Sequence, residues 1–198
     1  THQTTLIATT ALLLKLGIAP IHLWYPEILQ GTTMNIALTI ATWQKIAPLA
    51  LLMLMHAHLP TMLIILTGLA STMIGSLTGL NQTQTRKIMA FSSIAHMGWL
   101  LMALMLSPQL TTLALTIYII TTIATFTPLA TTTTKTMTDT NTTSSNSPML
   151  LTLTMLSLMS LGGLPPLTGF LPKLLILDGL ITKNLIPLGT IIALASLP

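Results

Sequence analysis

The chain has 198 residues, of which 5% are charged and 52% hydrophobic, with a mean hydropathy of +0.84 and a formal net charge of +4. A globular domain carries about 25% charged residues, so ten charges on 21.2 kDa exclude a water-solvated surface and imply a multi-span membrane protein. The absence of Cys excludes disulfides, thiolate nucleophiles and Cys-held iron–sulfur clusters. The pI of 9.8 would suit nucleic acid, but the seven Lys and Arg are scattered rather than patched, which excludes that partner.

Turn residues and charges mark off seven hydrophobic segments. The first runs over 5–30 and is interrupted at Gly17 and Pro20; the second covers 34–55, the third 60–77, the fourth 87–106 and the fifth 110–129. The sixth, 148–181, breaks at Gly162, Gly163, Pro165 and Pro166, and the seventh covers 186–198. No alternating strand pattern occurs, so the predicted fold is all-α, a polytopic membrane helix bundle rather than a β-barrel.

The chain starts at Thr1 without a signal or transit pattern, and the seventh segment is shorter than the roughly 20 residues a span needs. An internal fragment of a longer protein is expected. The polar stretch 131–147, rich in Thr, Ser and Asn, reads as a loop. Asn81 and Asn141 open glycosylation triplets of a kind a Thr-rich chain produces by chance. If the first segment points to side A, then Arg86, Lys87 and Lys135 lie in side-A loops, beside Asp139, and Lys183 alone lies on side B. The positive-inside rule puts side A on the matrix or cytoplasmic face.

The two interrupted segments align without gaps. Residues 17–27 and 163–173 share Gly17 with Gly163, Pro20 with Pro166, an aromatic at Trp24 and Phe170, and Pro26 with Pro172. Four helices lie between the copies, so they cross in opposite directions and form an inverted repeat. Proline removes an amide donor and glycine permits unwinding. Paired breaks in inverted halves point to a transporter's ion path.

Charges within the spans sharpen that reading. Lys45 lies eleven residues into the second segment, about 16 Å along a helix and near the midplane. A central lysine costs about 2.5–3.5 kcal/mol on insertion scales, and from that depth the stem cannot snorkel out. Lys15 sits two residues before Gly17 and Lys173 seven after Pro166, each beside a break. The three carboxylates, Glu27, Asp139 and Asp178, are not central. In the fourth segment Ser92, Ser93 and His96 fall on one helical face. His96 could relay protons or make an interhelical hydrogen bond. His22 lies within the first break, while His56 and His58 sit near a segment end and read as interfacial. No nucleotide-binding glycine motif or metal-ligand spacing is present, and a haem clamp by facing histidines is not supported.

Four ordered stretches, KLGIAPIHLWYPEILQG, TWQKIAP, GLNQTQTRKIMAFSSIAHMGW and SLGGLPPLTGFLPK, resemble the subunit 2 family of mitochondrial NADH dehydrogenase (ubiquinone), antiporter-like membrane subunits of respiratory complex I. The resemblance covers essentially the whole chain. It implies two inverted five-helix halves, with 1–58 ending the first and 59–198 beginning the second. Lys15, Lys45 and Lys173 match the family's lysines, of the first broken helix, the following helix and the second broken helix, and His96 lies on the polar axis linking the halves. The matching glutamate of an earlier helix has no counterpart in this sequence.

The resemblance also implies proton translocation in the mitochondrial inner membrane, with other membrane-arm subunits, neighbouring antiporter-like ones among them, and the bilayer as partners. No cofactor is expected in this chain; NADH, FMN, iron–sulfur clusters and ubiquinone belong to other subunits. An Mrp-type cation/proton antiporter subunit and a non-transporting scaffold are the alternative readings.

Overall fold

The computed structural model describes residues 2–132, 136, 148–165 and 167–196. It is helical: α1 (His2–Leu16), α2 (Trp24–Gly31), α3 (Met34–Leu54), a 3-10 turn (His56–His58), α4 (Thr61–Leu80), α5 (Thr85–Leu106), α6 (Pro108–Thr132), α7 (Pro148–Gly162), α8 (Phe170–Thr182) and α9 (Ile186–Ala195). Helices α3 to α6 are each long and apolar enough to cross a membrane. Among the described residues the only extended pairing is an isolated bridge between Gln84 and Thr136.

The bundle is apolar outside as well as inside. Trp43, Leu54, Met62, Ile120 and Met149 all present most of their surface outward, an arrangement that suits hydrocarbon and not water. The 36 threonines are compatible with such a setting. Threonine fills the shape of valine, and its hydroxyl can donate back to a carbonyl one turn earlier. Thr42 does so to Leu38 at 2.8 Å, Thr72 to Leu69 at 2.9 Å and Thr125 to Thr122 at 2.9 Å.

Helix α5 is the axis of the fold and contributes to all three apolar clusters of the core. It packs on α4 through small residues. A Cβ on Gly75 would lie 2.7 Å from the Ala95 amide nitrogen, and one on Gly98 would lie 2.7 Å from the Gly68 carbonyl, so the backbones touch as in small-xxx-small membrane seams. Two basic side chains tie helix ends together on opposite faces. Arg86 Nη1 donates to the carbonyls of Gln30 (3.2 Å) and Thr32 (2.7 Å) just past α2, and Lys183 Nζ donates to those of Met105 (2.9 Å) and Leu106 (3.2 Å) at the end of α5. Arg86 and Lys183 therefore lie at opposite ends of α5; Lys135, Asp139 and Asn141 lie outside the described residues.

Both interrupted segments are broken helices, and their breaks are built alike. Gly17 and Gly163 take left-handed φ values of +71° and +79°. Around each, the glycine amide bonds three residues back and the next amide five back: Gly17 to Leu14 and Ile18 to Leu13, Gly163 to Ser160 and Leu164 to Met159. That is the Schellman ending, in which glycine is favoured because other residues strain at positive φ. The element bounds differ from expectation by a few residues. Gly162 is the last residue of α7 rather than part of the break, and Pro166 lies outside the described residues.

Candidate functional site

Lys45 is 2% exposed and stands in the middle of α3. Its Nζ does not snorkel: it donates to the Tyr118 hydroxyl of α6 at 3.4 Å and lies over the rings of Tyr25 (4.6 Å) and Tyr118 (5.4 Å). Ring faces attract cations, so aromatic surface and one hydroxyl stand where a carboxylate would be expected. The Tyr118 hydroxyl in turn donates to the Ala41 carbonyl at 3.0 Å, which turns its lone pairs towards Lys45. Three residues on, Pro48 interrupts α3 from within and removes the amide that would have bonded the Gln44 carbonyl.

Tyr118 leads onward. Its ring lies 5.6 Å from that of His96, and His96 Nε2 sits 3.0 Å from the Leu161 carbonyl at the end of α7. A carbonyl only accepts, so Nε2 carries the proton and the neutral ring keeps Nδ1 as an acceptor. Lys173, from the first turns of α8, folds back to the Gly162 carbonyl at 3.0 Å, with its Nζ 5.9 Å from the centre of the Trp99 ring.

A cavity of about 20 Å³ touches His96, Tyr118, Trp99 and Lys173, enough volume for one water among polar partners. A larger one of about 300 Å³ runs from His96 and Lys173 past Ser92 to Ile88 and Leu80, at the side-A turn between α4 and α5. Lys45, Tyr118, His96 and Lys173 thus form a line through the core, and the larger cavity extends from its far end towards the α4–α5 turn.

The other sequence candidates are placed differently. Lys15 is exposed at the end of α1, and Glu27 is exposed on α2; the structure brings neither to the line. His22 is buried, but its Nδ1 is 3.2 Å from the Pro20 carbonyl, so it braces the break. Ser92 and Ser93 do not act as one face. Both hydroxyls donate within α5, to Met89 at 2.9 Å and Ala90 at 2.7 Å; Ser92 lines the larger cavity, whereas Ser93 is buried on the tyrosine side. His96 makes the interhelical hydrogen bond and also adjoins the cavities, so its two readings coexist. Sequence reasoning missed Tyr118, Tyr25 and Trp99. The available signal was scarcity: the chain has two tyrosines, and both converge on Lys45. Among the described residues no three His, Asp or Glu gather as a metal-holding group.

The profile of a transmembrane family described as NADH:quinone oxidoreductase/Mrp antiporter matches residues 2–197. The chain belongs to that family. It is 48% identical over its full length to NADH-ubiquinone oxidoreductase chain 2 of Lycodon semicarinatus and 52% identical, over 99% of its length, to that of Varanus melinus. It spans 59% and 57% of those two chains. Among solved structures, one chain of respiratory complex I from Thermus thermophilus with bound aureothin superposes with a TM-score of 0.85 at 28% identity, over 93% of this chain and 44% of that one. A chain of the Mrp complex from Dietzia sp. superposes at 0.84 with 17% identity, over 97% of this chain and 39% of that one, a likeness of fold.

Proposed function

We propose that this chain is part of a proton-translocating membrane subunit of NADH:ubiquinone oxidoreductase, acting in the mitochondrial inner membrane beside other membrane-arm subunits. It conducts protons; NADH, FMN, iron–sulfur clusters and ubiquinone are handled by other subunits. Residues 1–58 close one antiporter-like half and 59–198 begin the second, whose broken helix is α7 and α8. The names of relatives near 50% identity support the enzyme, and 28% identity to complex I against 17% to the Mrp complex favours it over a free-standing antiporter.

The observation that carries the reading is the buried Lys45 joined through Tyr118 and His96 to Lys173. A structural lysine has no need of such a line, since burying an ammonium is costly. A proton leaves Lys45 Nζ for the Tyr118 oxygen as the Tyr118 hydroxyl proton swings from Ala41 towards His96 Nδ1. The imidazolium so formed can release its proton towards the cavities shared with Lys173. Lys15 stands apart from this line, exposed at the end of α1, and is assigned as a carrier of the first half on the family resemblance alone.

The test uses the full-length subunit in its assembled complex, with Lys45→Ala. NADH oxidation and proton uptake are recorded in sealed vesicles after assembly is confirmed. Loss of turnover or pumping in assembled complex is expected. Unchanged turnover and pumping would make Lys45 structural and leave the scaffold reading standing.

A further inference from the structure

Every α-helix ends on four carbonyls without an intrahelical amide, and at the end of α7 the partner of each can be named. The amide of Leu164 reaches Met159 at 3.4 Å and that of Gly163 reaches Ser160 at 3.1 Å. The last two carbonyls are held by side chains from other helices: His96 Nε2 donates to Leu161 at 3.0 Å and Lys173 Nζ to Gly162 at 3.0 Å. Two groups of the proton line therefore sit on adjacent carbonyls of one helix terminus. Glu27 and Asp178 are exposed elsewhere, and no carboxylate among the described residues pairs with either group.

We infer that the C-terminus of α7 is the counter-charge of Lys173, its Gly162 carbonyl holding the ammonium while its Leu161 carbonyl orients the neutral His96 ring, and that Gly163 is the positioning residue that admits Lys173. The inference rests on the proton-path reading. A helix C-terminus carries roughly half a negative charge on its unsatisfied carbonyls, and half-helix ends in transporters hold cations in this way. Gly163 is needed twice over. Its φ is +79°, and a Cβ there would stand 2.7 Å from Lys173 Nζ, 3.0 Å from Cε and 3.1 Å from Cδ. The lysine stem lies across the glycine. At the matching break, Gly17 is covered instead by Tyr25, whose ring carbon would be 3.2 Å from an added Cβ. The backbone device is the same in both copies, and the second copy is the one whose last carbonyls accept from two side chains, Lys173 and His96.

The facing groups are few: the Trp99 ring on one side, Tyr118 beside the small cavity, and Lys45 within electrostatic reach of His96. The test compares Gly163→Asn, Lys173→Ala and, as control, Gly31→Asn in the full-length subunit of the assembled complex. Asn accepts the left-handed backbone, so Gly163→Asn isolates the crowding of Lys173, whereas a Cβ on Gly31 meets nothing within 4 Å.

Expected are assembled complexes in which Gly163→Asn lowers proton pumping on the order of tenfold, the scale of a lost charged hydrogen bond, and moves the pH profile of turnover, with Gly31→Asn unaffected. Wild-type pumping and pH profile in Gly163→Asn, with Lys173→Ala impaired, overturns this inference alone. Normal pumping in Lys173→Ala overturns the proton-path reading beneath it. If Gly163→Asn does not assemble, a map of the wild-type complex decides: Nζ of Lys173 within hydrogen-bond distance of the Gly162 carbonyl upholds the inference, and Nζ directed elsewhere overturns it.

Discussion

Replacing Tyr118 by phenylalanine removes one oxygen from the centre of the line and leaves its ring in place. The ring still lies over Lys45 and beside His96, so packing and the cation–π contact survive. Two hydrogen bonds are lost: the one Lys45 donates, at 3.4 Å, and the one to Ala41, at 3.0 Å. A bond from a charged donor contributes about 1.5–3 kcal/mol. At 3.4 Å this one is longer than the usual range, which places it at the lower end, about 1.5 kcal/mol, or roughly tenfold in a rate that depends on it.

Tyr25→Phe is the matched comparison, because Lys45 donates to the Tyr118 hydroxyl and not to that of Tyr25, although the Tyr25 ring lies nearer to it. In assembled complex, NADH oxidation coupled to proton uptake should fall about tenfold for Tyr118→Phe and by less than about twofold for Tyr25→Phe. Equal effects of the two substitutions would refute the reasoning, since they would assign the rings, not the Tyr118 oxygen, to the path. Full activity of Tyr118→Phe would remove the link between Lys45 and His96.

Two further substitutions probe the frame that holds the line. Gly98→Ala should destabilise the α4–α5 seam by about 1–3 kcal/mol, because its Cβ would stand 2.6 Å from Thr72 Cγ2; the readout is a lower thermal midpoint of the complex or reduced assembly. Arg86→Ala removes both bonds to the carbonyls of Gln30 and Thr32; it should lower thermal stability while turnover of the surviving complex stays near wild type, and a specific loss of pumping would contradict its placement as a tie between helix ends.

The membrane class, the spans and both breaks were legible because they follow from composition and from glycine and proline, whose backbone limits act locally. Lys45 was legible because a lone charge deep in an apolar run has few bland explanations. What the sequence withheld was direction. Helical spacing grouped Ser92 with Ser93, yet adjacent residues point about 100° apart on a helix, and packing sent one to the cavity and the other towards the tyrosines. Tyr118 escaped notice because its partners are 73 and 77 residues away in the chain. An aromatic within an apolar span, like Phe126 on the same helix, reads as core until the helix opposite supplies an ammonium.

On the proton-path reading, the described residues that face the two buried lysines are not acids. Lys45 is balanced by two ring faces and a hydroxyl, and Lys173 and His96 by the carbonyls of a helix that stops between them. Fixed dipoles of this kind neither titrate nor migrate, so they can hold a proton without competing for it, as an ionisable carboxylate would. A break in a membrane helix exposes carbonyls that must be satisfied within the protein. On the proton-path reading, that obligation and the holding of a mobile proton fall in α7 to the same two side chains, so that shifting either one disturbs both.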